Sequence, residues 1–316
     1  MSETTISERF PGLYDRRARA LARAITTIER GGTERDALIR EVYGRRGNAR
    51  IMGFTGPPGA GKSTLVDRFA RLCRAADQTV GILAVDPTSP FTGGALLGDR
   101  IRMQELYTDP EVFIRSMATR GAMGGLARAT RDAVDLLDAV GFDWVLVETV
   151  GVGQDEVDVV RTVDTVAVIT LPGLGDEIQA IKAGIMEIAD VFVINKADRP
   201  GVDRTRRDLE SMLAMGGHRD WTPPIVQTVA SQGEGLEELH EKVGEHRQHL
   251  ADSGELDRRR FHQLRLRVET ILKARVLEAA DAEMGLETQL EEAFGAGDDP
   301  YTVADRLFEG VVRRQS

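Results

Sequence analysis

The chain has 316 residues, 41% hydrophobic and 29% charged, a globular composition that excludes wholesale disorder. A formal net charge of −10 makes it a poor polyanion binder, so nucleic acid is not expected as a partner. One cysteine, Cys73, excludes an intrachain disulfide framework and fits a reducing compartment. The opening MSETTISERFPGLYDRRAR lacks the apolar core of a signal peptide, and no later stretch reaches the roughly 18 apolar residues of a membrane span. A cytoplasmic protein without a membrane partner is expected.

Residues 12–47 read as a helical preface. Leu13, Ala20, Leu21, Ile25 and Ile28 recur at helical spacing among arginines, and Gly31-Gly32 stop the run. A second short helix, ERDALIREVYGRRG, follows. The pattern then becomes short apolar strands at 51–55, 80–85, 112–116, 144–148, 165–170, 191–194 and 225–229. Helices such as 125–140 and 176–189 separate them. Runs such as VAVIT and VFVIN are apolar on both faces, as central parallel strands are when helices cover both sides. The expected fold is a doubly wound, mostly parallel α/β sheet.

A helix at 236–250 closes that domain. From residue 256 the chain is charged and strand-free, and FHQLRLRVETILKARVLEAA puts Leu264, Val268, Ile271 and Leu272 on one stripe. Such a tail either folds back on the parent domain or projects and buries its stripe against a second subunit; the second is expected. The resulting division is a helical extension at 1–48, the α/β domain at 49–252 and a helical dimerisation arm at 253–316.

GPPGAGKS, Gly56 to Ser63, follows one predicted strand and opens the helix STLVDRFARLC, the context that a phosphate-binding loop requires. Gly56, Gly59 and Gly61 let the backbone curl so that successive N–H groups face phosphate oxygens. Pro57, Pro58, Ala60 and Thr64 complete the loop and its first helical turn. Lys62 is expected to reach the β- and γ-phosphates, and the Ser63 hydroxyl to ligate Mg²⁺.

NKAD, Asn195 to Asp198, follows the strand VFVI at the ligand-binding edge of such a sheet. The Asp198 carboxylate accepts from guanine N1–H and N2, a donor pair that adenine lacks, so GTP/GDP is expected and not ATP. Asn195 is positioned to donate to N7 and Lys196 to lay its stem over the base. Val229, Ala230 and Ser231, after the next strand, are expected to complete the base pocket through backbone N–H groups. Asp86 and Glu148 end strands on the same edge and rank ahead of Asp99 as metal carboxylates, since Asp99 has the alternative of capping a helix. Glu148 to Gly151 occupies the γ-phosphate sensor position, where the Gly151 amide would gain and lose one bond per hydrolytic cycle. Val152 follows Gly151 where a water-orienting glutamine would serve. Gln154 and Gln179 are nearby substitutes, so slow unassisted turnover is expected.

GFTGPPGAGKSTL, AVDPTSPFTGGALLGDRIRM, SMATRGAMGGLA, VETVGVGQDEVDV and LPGLGDEIQAIKAGIMEIADVFVINKAD together resemble the MeaB/ArgK GTPases, the G-protein chaperones of adenosylcobalamin-dependent methylmalonyl-CoA mutase. The resemblance runs from about residue 15 into the helical tail. It implies the SIMIBI/G3E-like branch of P-loop GTPases, a homodimer, and Mg²⁺-dependent hydrolysis that is slow alone and stimulated by the client. It further implies binding of the mutase and gating of cofactor loading from the adenosyltransferase, with protection or reactivation of the mutase. Adenosylcobalamin would be handled by the mutase and not held tightly by this chain. The family's metal and switch carboxylates fall on Asp86, Asp99 and Glu148. Its extra switch segment falls on 171–182, whose Gln179 and Lys182 would respond to docking.

Three other functions compete. Metal-insertion GTPases of hydrogenase or urease maturation share the nucleotide motifs but carry His-rich tails or paired cysteines, against five scattered histidines and one cysteine here. A small-molecule kinase would need an acceptor site, and no substrate-binding insertion is evident. A non-catalytic nucleotide-dependent scaffold would show no multiple turnover. Cys73 reads as a small buried hydrophobe, and His246 and His249 as non-ligands despite their i, i+3 spacing. The run 257–267 reads as a solvated face, and Arg120 has no role that the sequence assigns.

Overall fold

The computed structural model describes residues 5–45, 47–86, 105–118, 125–149, 162–173, 188–215 and 220–314. They divide into two compact units, 1–256 and 257–316.

The first unit contains seven strands: β1 Arg50–Thr55, β2 Val80–Asp86, β3 Val112–Ala118, β4 Trp144–Thr149, β5 Thr165–Thr170, β6 Val191–Asn195 and β7 Ile225–Thr228. They form one sheet in the order β3-β2-β4-β1-β5-β6-β7, and every pairing is parallel. The chain steps outward from β1, returns to β4 at its side, then crosses to β5 on the other side. That reversal at β1 is the topological switch point where α/β sheets bind ligands beyond their strand carboxyl ends.

Helices cover both faces. On one lie α1 Ile6–Arg9, α2 Ala18–Arg30, α3 Gly32–Tyr43, α5 Gly125–Ala139 and α6 Val202–Met215; on the other, α4 Lys62–Ala75 and α7 Leu236–Asp252. The strand period of two divides the sheet's side chains between these layers. In β4, Val145 and Val147 join the first core while Trp144 and Leu146 join the second. Leu21, Ile25 and Ile28 of α2 are almost completely buried, so the N-terminal helices share the first core with the sheet. The α2 run ends at Gly31, whose φ of 76° suits a residue without a Cβ. Gly32 does not extend a loop but opens α3.

Phe69 of α4 meets Phe54 and Trp144 edge-on at centroid distances of 5.9 and 5.2 Å, fixing α4 against β1 and β4. Cys73, one turn further, is fully buried, and burial pushes its thiol up to about 12. It is a packing residue.

The second unit is helical: α8 Glu255–Met284 runs into it, followed by α9 Leu286–Ala296 and α10 Pro300–Arg314. Left-handed Gly285 and Gly297 separate the three, and Pro300 opens α10 at the position where its missing N–H costs nothing. Leu264, Val268 and Leu272 of the predicted stripe are exposed, as are Phe261, Phe294 and Tyr301. Among the described residues no helix is long and apolar enough to cross a membrane.

Candidate nucleotide-binding site

β1 delivers the chain into the loop 56–61, and α4 begins at Lys62 with Gly61 in the left-handed region as its N-cap. Gly56, Gly59 and Gly61 all have positive φ, at 144°, 76° and 88°. At two of these, space as well as backbone angle demands glycine. A Cβ on Gly56 would strike the Ile169 carbonyl of β5, and one on Gly61 would strike the Asn195 amide. The loop is therefore pressed between two strand ends. The first-turn amides of α4 face out of its N-terminus with no side-chain cap, the arrangement that receives an anion. Lys62 is buried, and its Nζ donates to the carbonyl oxygens of Gly56 at 2.7 Å and Pro57 at 3.0 Å. These bonds fold the ammonium back over the loop that it would share with phosphate.

Glu148 lies in β4, paired in register with Phe54 of β1, which places its carboxylate beside the start of α4. Ser63 Oγ donates to Glu148 Oε1 at 2.5 Å. A hydroxyl and a buried carboxylate converging there form a hard-oxygen donor set, the chemistry Mg²⁺ takes, and a helix N-terminus for phosphate lies alongside. The residues present fit that ion. Thr149 Oγ1 bonds Thr55 Oγ1 at 3.1 Å, tying the ends of β4 and β1 together. For Asp86 only the backbone is described, at the end of β2 opposite Ala118, and Asp99, Gly151, Gln154, Gln179 and Lys182 lie outside the described residues. So do Arg120, the segment 174–182 and most of the helix expected at 176–189.

On the base side, Asn195 ends β6 fully enclosed, and every bond it makes is internal. Its Nδ2 donates to the Ala60 carbonyl at 2.8 Å, and its Oδ1 accepts from Thr228 Oγ1 and the Ala230 amide, each at 3.1 Å. Asn195 is thus a strut joining the phosphate loop to the end of β7, and the second N–H of its amide has no partner among the described residues. Lys196 holds a left-handed φ of 57° and donates from Nζ to the Gly59 carbonyl at 2.9 Å. The side chains of Asn195 and Lys196 therefore both grip the loop. Asp198 is exposed and has no hydrogen bond or ion pair among the described residues, as a carboxylate awaiting a ligand donor pair would be. The Val229 amide bonds the Glu234 carbonyl and the Ala230 amide bonds Asn195, while the Ser231 amide is in neither bond. Arg68 of α4 anchors the Ser231 carbonyl at 3.2 Å.

Residues 21–285 match the family model of the methylmalonyl-CoA mutase-associated GTPase MeaB. The chain belongs to that family. A Pyrococcus horikoshii relative, whose name proposes a GTPase, is 50% identical, with 94% of this chain and 95% of its own covered. The GTPase ArgK of Escherichia coli is 36% identical over 83% of this chain and 82% of its own. The mouse protein named methylmalonic aciduria type A homolog, mitochondrial, is 34% identical over 96% and 79%. Among solved structures, one named as an LAO/AO transport system kinase superposes with a TM-score of 0.72 at 28% identity, covering 98% of each chain. Membership makes this MeaB-family chain a P-loop GTPase related to the methylmalonic aciduria type A protein, and it implies GTP/GDP and Mg²⁺ as ligands.

The MeaB-family chain also holds a buried polar cluster that sequence reasoning missed. His246 of α7, with no exposed surface, lies with Nδ1 2.9 Å from Thr165 Oγ1 and Nε2 3.2 Å from Asp190 Oδ1. Asp190 Oδ2 accepts from the Val166 amide, and its backbone carbonyl accepts from Trp221 Nε1. Trp221 packs on both His246 and His249. The cluster ties α7 to β5 and β6, and among the described residues no group of three or more His, Cys, Asp or Glu side chains is gathered as a metal site. The i, i+3 histidine spacing carried no hint of the aspartate, which lies some fifty residues away in the chain.

Proposed function

We propose that this chain is a GTP-hydrolysing chaperone of an adenosylcobalamin-dependent acyl-CoA mutase, with methylmalonyl-CoA mutase as its client. The observation that carries the catalytic half is the convergence of Lys62, Ser63 Oγ and Glu148 Oε1 at the mouth of β1. The family's description and the mouse relative's name support the client half.

GTP would enter with its phosphates against the N-terminus of α4. Lys62 would trade the Gly56 and Pro57 carbonyls for phosphate oxygens, and the loop amides would hold the charge that spreads over the transferred group. Ser63 and Glu148, with Asp86 and Asp99 as further candidates, would hold Mg²⁺, directly or through water. When bound, the ion supplies charge neutralisation and polarisation of the γ-phosphoryl group. Asp198 would accept the guanine N1–H and N2 donors, while the Asn195 strut keeps that reader in register with the phosphate loop. Gly151 would sense the γ-phosphate. Gln179 and Lys182 would complete the site once the mutase orders their segment, giving slow turnover alone and faster turnover in the complex. The exposed apolar stripe of α8 is the surface proposed to pair two chains into a homodimer. The dimer would act in the cytoplasm, between the mutase and the adenosyltransferase that loads it.

The test is GTP turnover by the purified protein alone and with methylmalonyl-CoA mutase. Stimulation of tenfold or more is expected. No response to this mutase or to the isobutyryl-, 2-hydroxyisobutyryl- and ethylmalonyl-CoA mutases would refute the chaperone reading. Phosphate appearing on a small-molecule acceptor would instead favour a kinase, the activity for which the similar solved structure is named.

A further inference from the structure

A cavity of about 480 Å³ opens between α1, α2, the start of α3 and the edge strand β3, and arginines dominate its wall: Arg9, Arg19, Arg23, Arg30 and Arg115, against one carboxylate, Glu34. On a chain with ten more acidic than basic side chains, such a local excess of positive charge is a departure that folding alone does not require. The cavity lies three strand spacings from β1, at roughly 4.8 Å each, so it is separate from the nucleotide cradle.

Two of these arginines are fixed in place. Arg115 donates to Glu29 Oε2 at 2.6 Å and Thr26 Oγ1 at 3.1 Å, while its buried Nε–H has no hydrogen-bond partner among the described residues. Arg23 lies over the Phe10 ring at 5.7 Å and donates to the Arg9 carbonyl. Arg9 itself stands 3.6 Å from Glu34. Arg19 and Arg30 differ from these: neither side chain makes a hydrogen bond or ion pair with any described residue. They flank the cavity at the two ends of α2, 11 residues or about 16 Å apart along the helix.

We propose that this cavity is a binding site for a small molecule carrying two or more phosphate charges. Guanidinium forks match phosphate oxygens bidentately, and a pocket of this volume falls in the range of small-ligand sites. A volume of about 480 Å³ accommodates a whole small molecule but only a few residues of an acidic polypeptide.

Calorimetric titration of inorganic pyrophosphate into the GDP-saturated protein tests the proposal, since GDP keeps the cradle occupied. One pyrophosphate per chain is expected. The double variant Arg19→Ala/Arg30→Ala should bind at least tenfold more weakly, with its melting temperature unchanged because both side chains are exposed and bond to no described residue. The control Arg206→Ala, an exposed arginine of α6 paired with Glu210, should bind as wild type does. Absence of pyrophosphate binding, or equal binding by the double variant and wild type, would overturn the site. A poly-glutamate peptide that outcompetes pyrophosphate in the wild type would overturn the ligand class in favour of an acidic polypeptide.

Discussion

Lys62 and Asp198 are both nucleotide ligands in this account, yet the chain treats them in opposite ways. Lys62 is buried on two carbonyls of its own loop, so Lys62→Ala removes a phosphate contact and leaves those carbonyls without it. GTP affinity should fall at least a hundredfold by calorimetry, while stability falls by only about 1 kcal/mol in urea, the usual worth of such bonds. Wild-type affinity in that variant would remove Lys62 from the site. Asp198 is exposed and bonded to nothing described, so Asp198→Asn should leave the melting temperature unchanged. GTP should bind it more weakly by about 1–3 kcal/mol, a factor of 5 to 150 in Kd, with little change for ATP. Equal losses for both nucleotides would mean that Asp198 does not read the base. The motif letters foretold which residues gather here but not how they bond. Nothing in N-K-A-D says that Asn195 spends its amide on Ala60 and Ala230, because that bond depends on how close β6, β7 and the phosphate loop approach.

Among the elements, the strands were legible nearly to the residue. The segment Thr165–Thr170 is as its apolar run indicates, and β1, β2, β3, β4 and β6 differ from the expected limits by one or two residues at an end. Buried parallel strands leave so clear a trace because both faces must be apolar. At β7 the ladder stops at Thr228, since the Val229 amide turns to Glu234 and starts the loop before α7. The four-residue α1 was illegible, being too short for a helical period to show. What α4 rests on is a matter of packing. Phe69 fills the space between Phe54 and Trp144, so Phe69→Ala should cost about 3–5 kcal/mol in denaturant unfolding and weaken GTP binding, because α4 carries the phosphate loop. A loss under 1 kcal/mol would show that α4 is held by other contacts. His240 of α7 lies against the Phe69 and Trp144 rings, and burial, helped by the Arg50 charge, lowers its pKa below the ordinary 6.5. The folded state then binds fewer protons than the unfolded chain, so stability is full above about pH 6.5 and declines as pH falls toward the depressed pKa. His240→Gln should flatten that part of the stability–pH curve, and an unchanged slope would contradict the assignment.

At the scale of the whole molecule, the all-parallel sheet accounts for the site. Because every strand runs the same way, Thr55, Asp86, Thr149, Asn195 and Thr228 end at one edge, with Glu148 one residue before the end of β4, and the reversal at β1 opens the crevice there. Motif spacing in the sequence was sufficient to place Ser63 and Glu148 on that edge, although 85 residues separate them in the chain. The tail was less legible. Its helical period is clear, but an exposed stripe carrying Leu264, Val268 and Leu272 does not name the surface that covers it, since apolar area is non-directional. The central claim is that this edge binds and hydrolyses GTP. It is tested most directly by measuring multiple-turnover phosphate release from GTP and from ATP, side by side, with and without Mg²⁺. Slow, Mg²⁺-dependent release from GTP, at least tenfold faster than from ATP, is expected. Equal rates for the two nucleotides, or release that persists without the metal, would contradict it.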